Sequence, residues 1–314
     1  MKRIFICAAA AIVALASCSK TQVVYNDAPE EIGFKAVSGV MTKAALGDQG
    51  HTTMGVFANY TDDKVVYFDD AMFVEGTEWT GSPAQYWPLT GSLDFAFYAP
   101  YDADAASRVY TTTSPAANKM SIIVDNSTTQ VDWLYGAAMT TGTKASAVAD
   151  ISPTMKHLLA KIEINVKGST SVTINEITLT DTEQKETATI DYANSGALSW
   201  TNTNATVDWE FLANTSPTTA PFTLSGTAKT FTCYVIPSAQ TSFVLDYKIS
   251  GVDAPDHTHS LTAHGNWYAG KKYVYNITVN PGEIKFTPTV TDWDGDINED
   301  GSTTEADQFP VAIN

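Results

Sequence analysis

The chain has 314 residues and a formal charge of −17, with 35 acidic against 18 basic side chains. So acidic a surface repels nucleic acid and anionic lipid headgroups, which excludes binding of either through charge. Arginine occurs only at Arg3 and Arg108, so no basic stripe can form along the chain.

Lys2 and Arg3 precede an apolar run of thirteen residues, Ile4 to Ala16, which closes on Leu15-Ala16-Ser17-Cys18. That length suits the core of a secretory leader and falls short of the roughly 20 residues that span a bilayer. A leucine three residues before a cysteine, with two small residues between, is a lipobox, and it implies a bacterial source. Residues 1–17 are thus expected to be removed and Cys18 to become the acylated first residue. Two or more chains anchor stably where one is marginal, so the lipid supplies the expected membrane attachment. Loss of Lys2 and Arg3 moves the charge from −17 to −19. Cys7 leaves with the leader and Cys18 is modified, so Cys233 remains alone and no intramolecular disulfide is expected. It lies in an apolar stretch, Phe231 to Ile236, and is predicted to be a buried small hydrophobe.

Residues 18–43 read as a polar stretch followed by a short strand, in which Ile32, Phe34 and Ala36 alternate with Gly33 and Lys35. Thr42-Lys43-Ala44-Ala45 follows as a loop around one base. Beyond it the pattern is strand after strand with almost no helix. Leu93, Phe95 and Phe97 alternate with Asp94, Ala96 and Tyr98, and Leu158, Ala160, Ile162, Ile164 and Val166 form a second such series. Phe243, Leu245, Tyr247 and Ile249 form a third, and Tyr273, Tyr275, Ile277 and Val279 a fourth. Each predicts a strand with one face inward and one toward water. The length suggests two domains, 44–150 and 151–293, with the border among the small residues of Thr140 to Pro153 and an acidic tail over 294–314.

No nucleophile elbow, phosphate loop, HExxH or CxxC occurs, and an enzyme is not expected. His257 and His259 share a strand face near His264, Asp253 and Asp256, a set that suits zinc or a polar hairpin. In the tail, Asp296, Asn298, Asp300 and Asp307 stand at positions 1, 3, 5 and 12 of a calcium-type loop, with Gly301 at position 6. Seven carboxylates between Asp292 and Asp307 equally describe a solvated acidic tail, and no other cofactor is suggested. Phe309, Val311 and Ile313 then share a parity, a final strand that Pro310 confines to an edge or to a place needing no amide donor.

Together these segments resemble the fimbrillin family, the lipoprotein-precursor subunits of type V pili in Gram-negative bacteria. The resemblance rests on Ile32-Gly33-Phe34 with Thr42 to Ala45, on Met54 to Ala58, on Tyr86-Trp87-Pro88, and on Leu93 to Tyr101. It continues through Asp132 to Ala138, His157 to Ile162, Ile236-Pro237, Trp267 to Tyr275 and Val290 to Trp293. It implies an all-β fold of two transthyretin-like antiparallel β-sandwich domains in tandem, and export to the outer membrane and cell surface. It further implies that a trypsin-like protease cuts after a base following the first strand, here Lys43 where the family more often has Arg. Removal of that strand, with Ile32, Phe34 and Ala36, opens a groove that the C-terminal segment of another pilus subunit fills. Phe309, Val311 and Ile313 are the corresponding donor positions. Strand addition restores ladder hydrogen bonds and buried side chains together, and unlike donor and acceptor surfaces propagate head to tail. The rival expectation is a monomeric surface lipoprotein that binds glycan, with Trp79, Tyr86, Trp87, Trp200 and Trp209 as the aromatics that stack on sugar or, for most of them, pack in the core.

Overall fold

A computed structural model describes residues 29–35, 38–39, 51–103, 108–111, 118–144, 151–183, 185–201, 206–212, 222–237, 242–249, 257–262, 266–280 and 283–293. Among these the fold is all-β. A 3₁₀ turn lies at Tyr192–Asn194, whose Ala193 N–H donates to the Asp191 carboxylate at 3.1 Å.

The first eleven strands are β1 (Gly33–Phe34), β2 (Ser38–Gly39), β3 (Thr53–Tyr60), β4 (Val66–Val74), β5 (Trp79–Gly81), β6 (Ser92–Ala99), β7 (Arg108–Thr111), β8 (Lys119–Asp125), β9 (Leu134–Gly136), β10 (Thr140–Thr143) and β11 (Thr154–His157). Nine of them make one sheet in the order β1-β5-β4-β3-β6-β9-β11-β2, with β10 also paired to β6. Its first and last strands belong to one short segment. Phe34 and Ser38 are four residues apart, a span of at most about 14 Å, so the two ends of the sheet meet and it closes on itself. Inside lie Ile32, Phe34, Met54, Val56, Phe73, Trp79, Trp87, Leu93, Phe95, Phe97, Leu134, Ile151 and Met155.

Strand β6 departs from its expected one-sided pattern. Leu93 through Ala99 are all buried. Ala96 and Tyr98 turn away from the closed sheet into a second apolar cluster with Phe57, Met120, Ile122 and Val124, so neither face meets water. Asp94 survives there because Lys64 Nζ, Thr141 Oγ1 and Thr61 Oγ1 donate to it at 2.6, 2.6 and 3.0 Å. Burial works against its charge, but those hydrogen bonds and the Lys64 ammonium outweigh it and hold the carboxyl below its ordinary value. Tyr98 lies so close to β3 that a Cβ on Gly55 would fall 1.9 Å from its ring. Only glycine fits there.

The remaining strands are β12 (Ala160–Gly168), β13 (Val172–Glu183), β14 (Lys185–Asp191), β15 (Ala197–Thr201), β16 (Thr206–Leu212), β17 (Phe222–Thr223), β18 (Lys229–Val235), β19 (Ser242–Ile249), β20 (His257–Thr262), β21 (Lys271–Asn280) and β22 (Glu283–Asp292). Sheets β18-β12-β21-β22 and β16-β13-β19-β20 enclose a third cluster with Ile162, Ile164, Val166, Ile174, Leu179, Tyr273, Tyr275 and Ile277. The predicted alternation in β21 holds: Tyr273, Tyr275, Ile277 and Val279 are buried. In β19, Phe243, Leu245 and Tyr247 stand in register opposite Leu179, Ile177 and Ile174, and the latter three are buried. Cys233 is fully buried in this cluster, and desolvation raises its thiol well above the usual value, so it is chemically inert.

The series expected to start at Leu158 starts later. Leu158 and Leu159 lie between β11 and β12, both fully buried in the cluster around Tyr98, and the strand begins at Ala160. Two pairings, β2 with β11 and β12 with β21, are parallel, and the rest are antiparallel. The sheet β15-β14-β8-β7 joins strands on either side of residue 150, and its alternating Met120, Ile122, Val124, Ala188 and Ile190 cover the outer face of β6.

Candidate functional site

Glu30 to Gly39 is the segment that closes the nine-stranded sheet. On one side Ile32 N–H donates to Gln85 O at 2.7 Å, and Trp87 N–H donates to Glu30 O at 2.9 Å. Gly33 and Phe34 then pair antiparallel with Thr80 and Trp79. On the other side Lys35 N–H donates to Ile151 O at 3.2 Å, and Ser38 and Gly39 pair parallel with Thr154 and Met155. β1 and β2, whose Phe34 and Ser38 are four residues apart, thereby serve two sheet edges that would otherwise present bare backbone.

Its side chains go to the centre. Ile32 and Phe34 are fully buried, whereas Lys35 is exposed. The Phe34 ring lies 5.0, 5.2 and 5.1 Å from Phe73, Phe95 and Phe97, edge-on to the latter two. Aromatic edge-to-face pairs add to the area term of burial, so this pocket holds the segment through shape as well as hydrophobicity. Trp87, Ile151 and Met155 complete the wall.

Of the residues singled out in the sequence, Ile32 and Phe34 are therefore brought together in one core. Cys18, Ala36, Lys43, Phe309, Val311, Ile313 and the calcium-type set Asp296, Asn298, Asp300 and Asp307 lie outside the described residues. His257 and His259 fall on β20, opposite Tyr247 and Leu245, and His264 lies outside. Among the described residues no three His, Cys, Asp or Glu side chains are grouped to hold a metal ion. The aromatic platform expected for glycan does not assemble. Trp79 and Trp87 are only 4% and 5% exposed because they line the closed sheet, and Trp200 and Trp209 are half-buried against separate clusters. Of the five, Tyr86 alone is exposed, at 46%.

A buried polar site stands beside Trp293. Asp132 and His157 are fully buried, and Asp132 Oδ1 meets His157 Nδ1 at 2.8 Å. His51 Nε2–H donates to the Asp132 backbone carbonyl at 2.5 Å. The His157 ring stacks on Trp293 at 3.4 Å and 9°, and Trp293 stacks in turn on Tyr234 at 5.6 Å. Trp293 N–H donates to Gly270 O, so the last described residue before the tail is held against β11, β18 and the turn before β21. Desolvation, reinforced by the nearby His157, lowers the His51 pKa despite the opposing pull of Asp132. The unfolded chain thus binds a proton that the folded chain resists. Stability is expected to be full above about pH 6.5 and to fall as the pH drops below it. Urea unfolding at pH 7.5 and pH 5 checks this, and His51→Gln is expected to shrink the difference between the two.

Residues 40–293 match the family model described as fimbrillin-like. The candidate fimbrium subunit Fim1C of Bacteroides uniformis is 25% identical over 315 aligned positions, covering 93% of this chain and 95% of its own. A fimbrial protein of Bacteroides vulgatus shares the fold with a TM-score of 0.57 at 15% identity, over 84% of this chain and 99% of that one. A candidate cell adhesion protein of Bacteroides uniformis does so with a TM-score of 0.56 at 17% identity, over the same shares. At such identities the structural likeness speaks for the fold alone. The family match takes in the β3, β6, β12 and β21 segments whose packing is described above, and the chain belongs to the fimbrillin-like family.

Proposed function

We propose that this protein is a structural, non-enzymatic subunit of a type V pilus, polymerised by strand exchange and serving adhesion at the cell surface. The observation that carries the reading is the closing segment, whose β1 and β2 bond to the two edges of one sheet while Ile32 and Phe34 fill its core. In this scheme Cys18 is acylated after removal of 1–17, and the precursor is held at the outer membrane. A trypsin-like protease then cuts after Lys43, and the propeptide 18–43 leaves with its lipid. The sandwich body remains, and the tail 294–314 of one subunit completes the sheet of another. Calcium, if bound, belongs to Asp296, Asn298, Asp300 and Asp307 of that tail.

The energetics favour exchange over a standing gap. Withdrawal of Ile32 and Phe34 uncovers apolar surface worth roughly 1.5–3 kcal/mol per side chain. It also leaves edge amides and carbonyls without partners. A donor strand restores both at once. Cleavage at Lys43 of the purified precursor is expected to convert monomer into ladders that persist in SDS without boiling, and Lys43→Ala is expected to stay monomeric. A cut chain that stays folded and monomeric would sink the proposal.

A further inference from the structure

The closing segment restricts what can replace it more tightly than an apolar groove would. Glu31 faces Tyr86 in an isolated antiparallel bridge, and both bonds of that bridge belong to its neighbours, Ile32 N–H to Gln85 O and Trp87 N–H to Glu30 O. The Glu31 amide takes no part in it. Positions 32 and 34 hold fully buried apolar side chains, and Gly33 between them is buried too. A strand that enters in the same direction therefore needs, in order, a residue that can lack an amide, an apolar one, a small one and an apolar one. Pro310-Val311-Ala312-Ile313 supplies that order.

We infer, on the strand-exchange reading above, that the tail of a second copy enters parallel to the segment it replaces, with Pro310 at the Glu31 position, Val311 at Ile32, Ala312 at Gly33 and Ile313 at Phe34. Two other registers fail on the same geometry. Phe309 in the Phe34 pocket with the same direction puts Asp307 at the fully buried Ile32 position, and a buried unpaired carboxylate is costly. It also puts Pro310 at Lys35, whose amide is needed by Ile151 O. Phe309 in that pocket with the direction reversed puts the Pro310 ring on the buried Gly33 site.

Cross-linking reads the register directly. Gly33 stands opposite Thr80, so Ala312 of a neighbour is expected opposite Thr80, within disulfide reach of a cross-strand pair. Thr80 and Tyr86 are both exposed, so a cysteine at either should leave the fold intact, and Cys233 is fully buried and does not compete. The full chain with Cys18→Ser and a site-specific protease sequence at Lys43 is cut after folding and then oxidised. The Thr80→Cys, Ala312→Cys variant is expected to give ladders that survive boiling in SDS without reductant, and Tyr86→Cys, Ala312→Cys to give none. Ladders from the Tyr86 pair mean the reversed register and overturn the inference while strand exchange stands. Polymers by size exclusion in which neither pair links overturn it as well. A cut, folded chain that forms no polymer overturns strand exchange itself, and the register falls with it.

Discussion

Phe34→Ala in the uncut chain is expected to lower unfolding stability by about 3–5 kcal/mol, the range for truncating a buried phenylalanine. The upper part of that range applies because the ring is fully buried and meets three others within about 5 Å. Those partners sit on β4 and β6, in the middle of a closed sheet that cannot collapse inward to fill the gap. In a chain of this size the midpoint of thermal unfolding should fall by roughly 10 °C. Phe34→Leu, which keeps most of the volume, should lose well under half as much. Urea titration followed by circular dichroism measures both. If the alanine variant lost under about 1 kcal/mol, the segment would be a passive edge, and its replacement by another strand would have little driving force.

Asp132→Ala is the second large effect, expected at about 3 kcal/mol. The substitution takes the carboxyl from His157 Nδ1 at a site closed to water, where a lost partner costs far more than at the surface. The Asp132 carbonyl that receives His51 belongs to the backbone and persists in the variant, so the His51-linked pH dependence should remain. Asp132→Asn keeps a polar partner for His157 and should recover part of the loss. Because His157 carries the Trp293 stack, the alanine variant should also change Trp293 fluorescence before global unfolding. Equal stability of the Ala and Asn variants would show that the polar contact is dispensable.

The slot was legible in part. Ile32-Gly33-Phe34 carries a period-two alternation, and Ile32 and Phe34 are both buried, although Gly33 between them is buried as well. Its opposite edge was not legible, because Ile151 and Met155 lie more than a hundred residues away and β2 meets β11 in a parallel pairing that leaves no local trace. For Trp87 the sequence leaves a sugar platform and a core position open, because an aromatic residue beside Pro88 looks alike in a loop and in a wall. Its burial depends on how the loop folds back over Glu30. His51 carried no signal at all, since a lone histidine before a strand means nothing until Asp132 is beside it.

What the sequence determined by itself is the all-β character and the inward faces of strands such as β21. Side-chain alternation is a property of the extended backbone and needs no distant partner. The net charge of −17 is likewise a property of composition and owes nothing to any fold. Tertiary structure alone decided which strands became neighbours, that β6 is covered on both faces, and that one segment closes the sheet between Gln85 and Ile151. Those outcomes rest on contacts between residues far apart in the chain, and a period-two pattern records which residues share a face while holding no information about what lies against it.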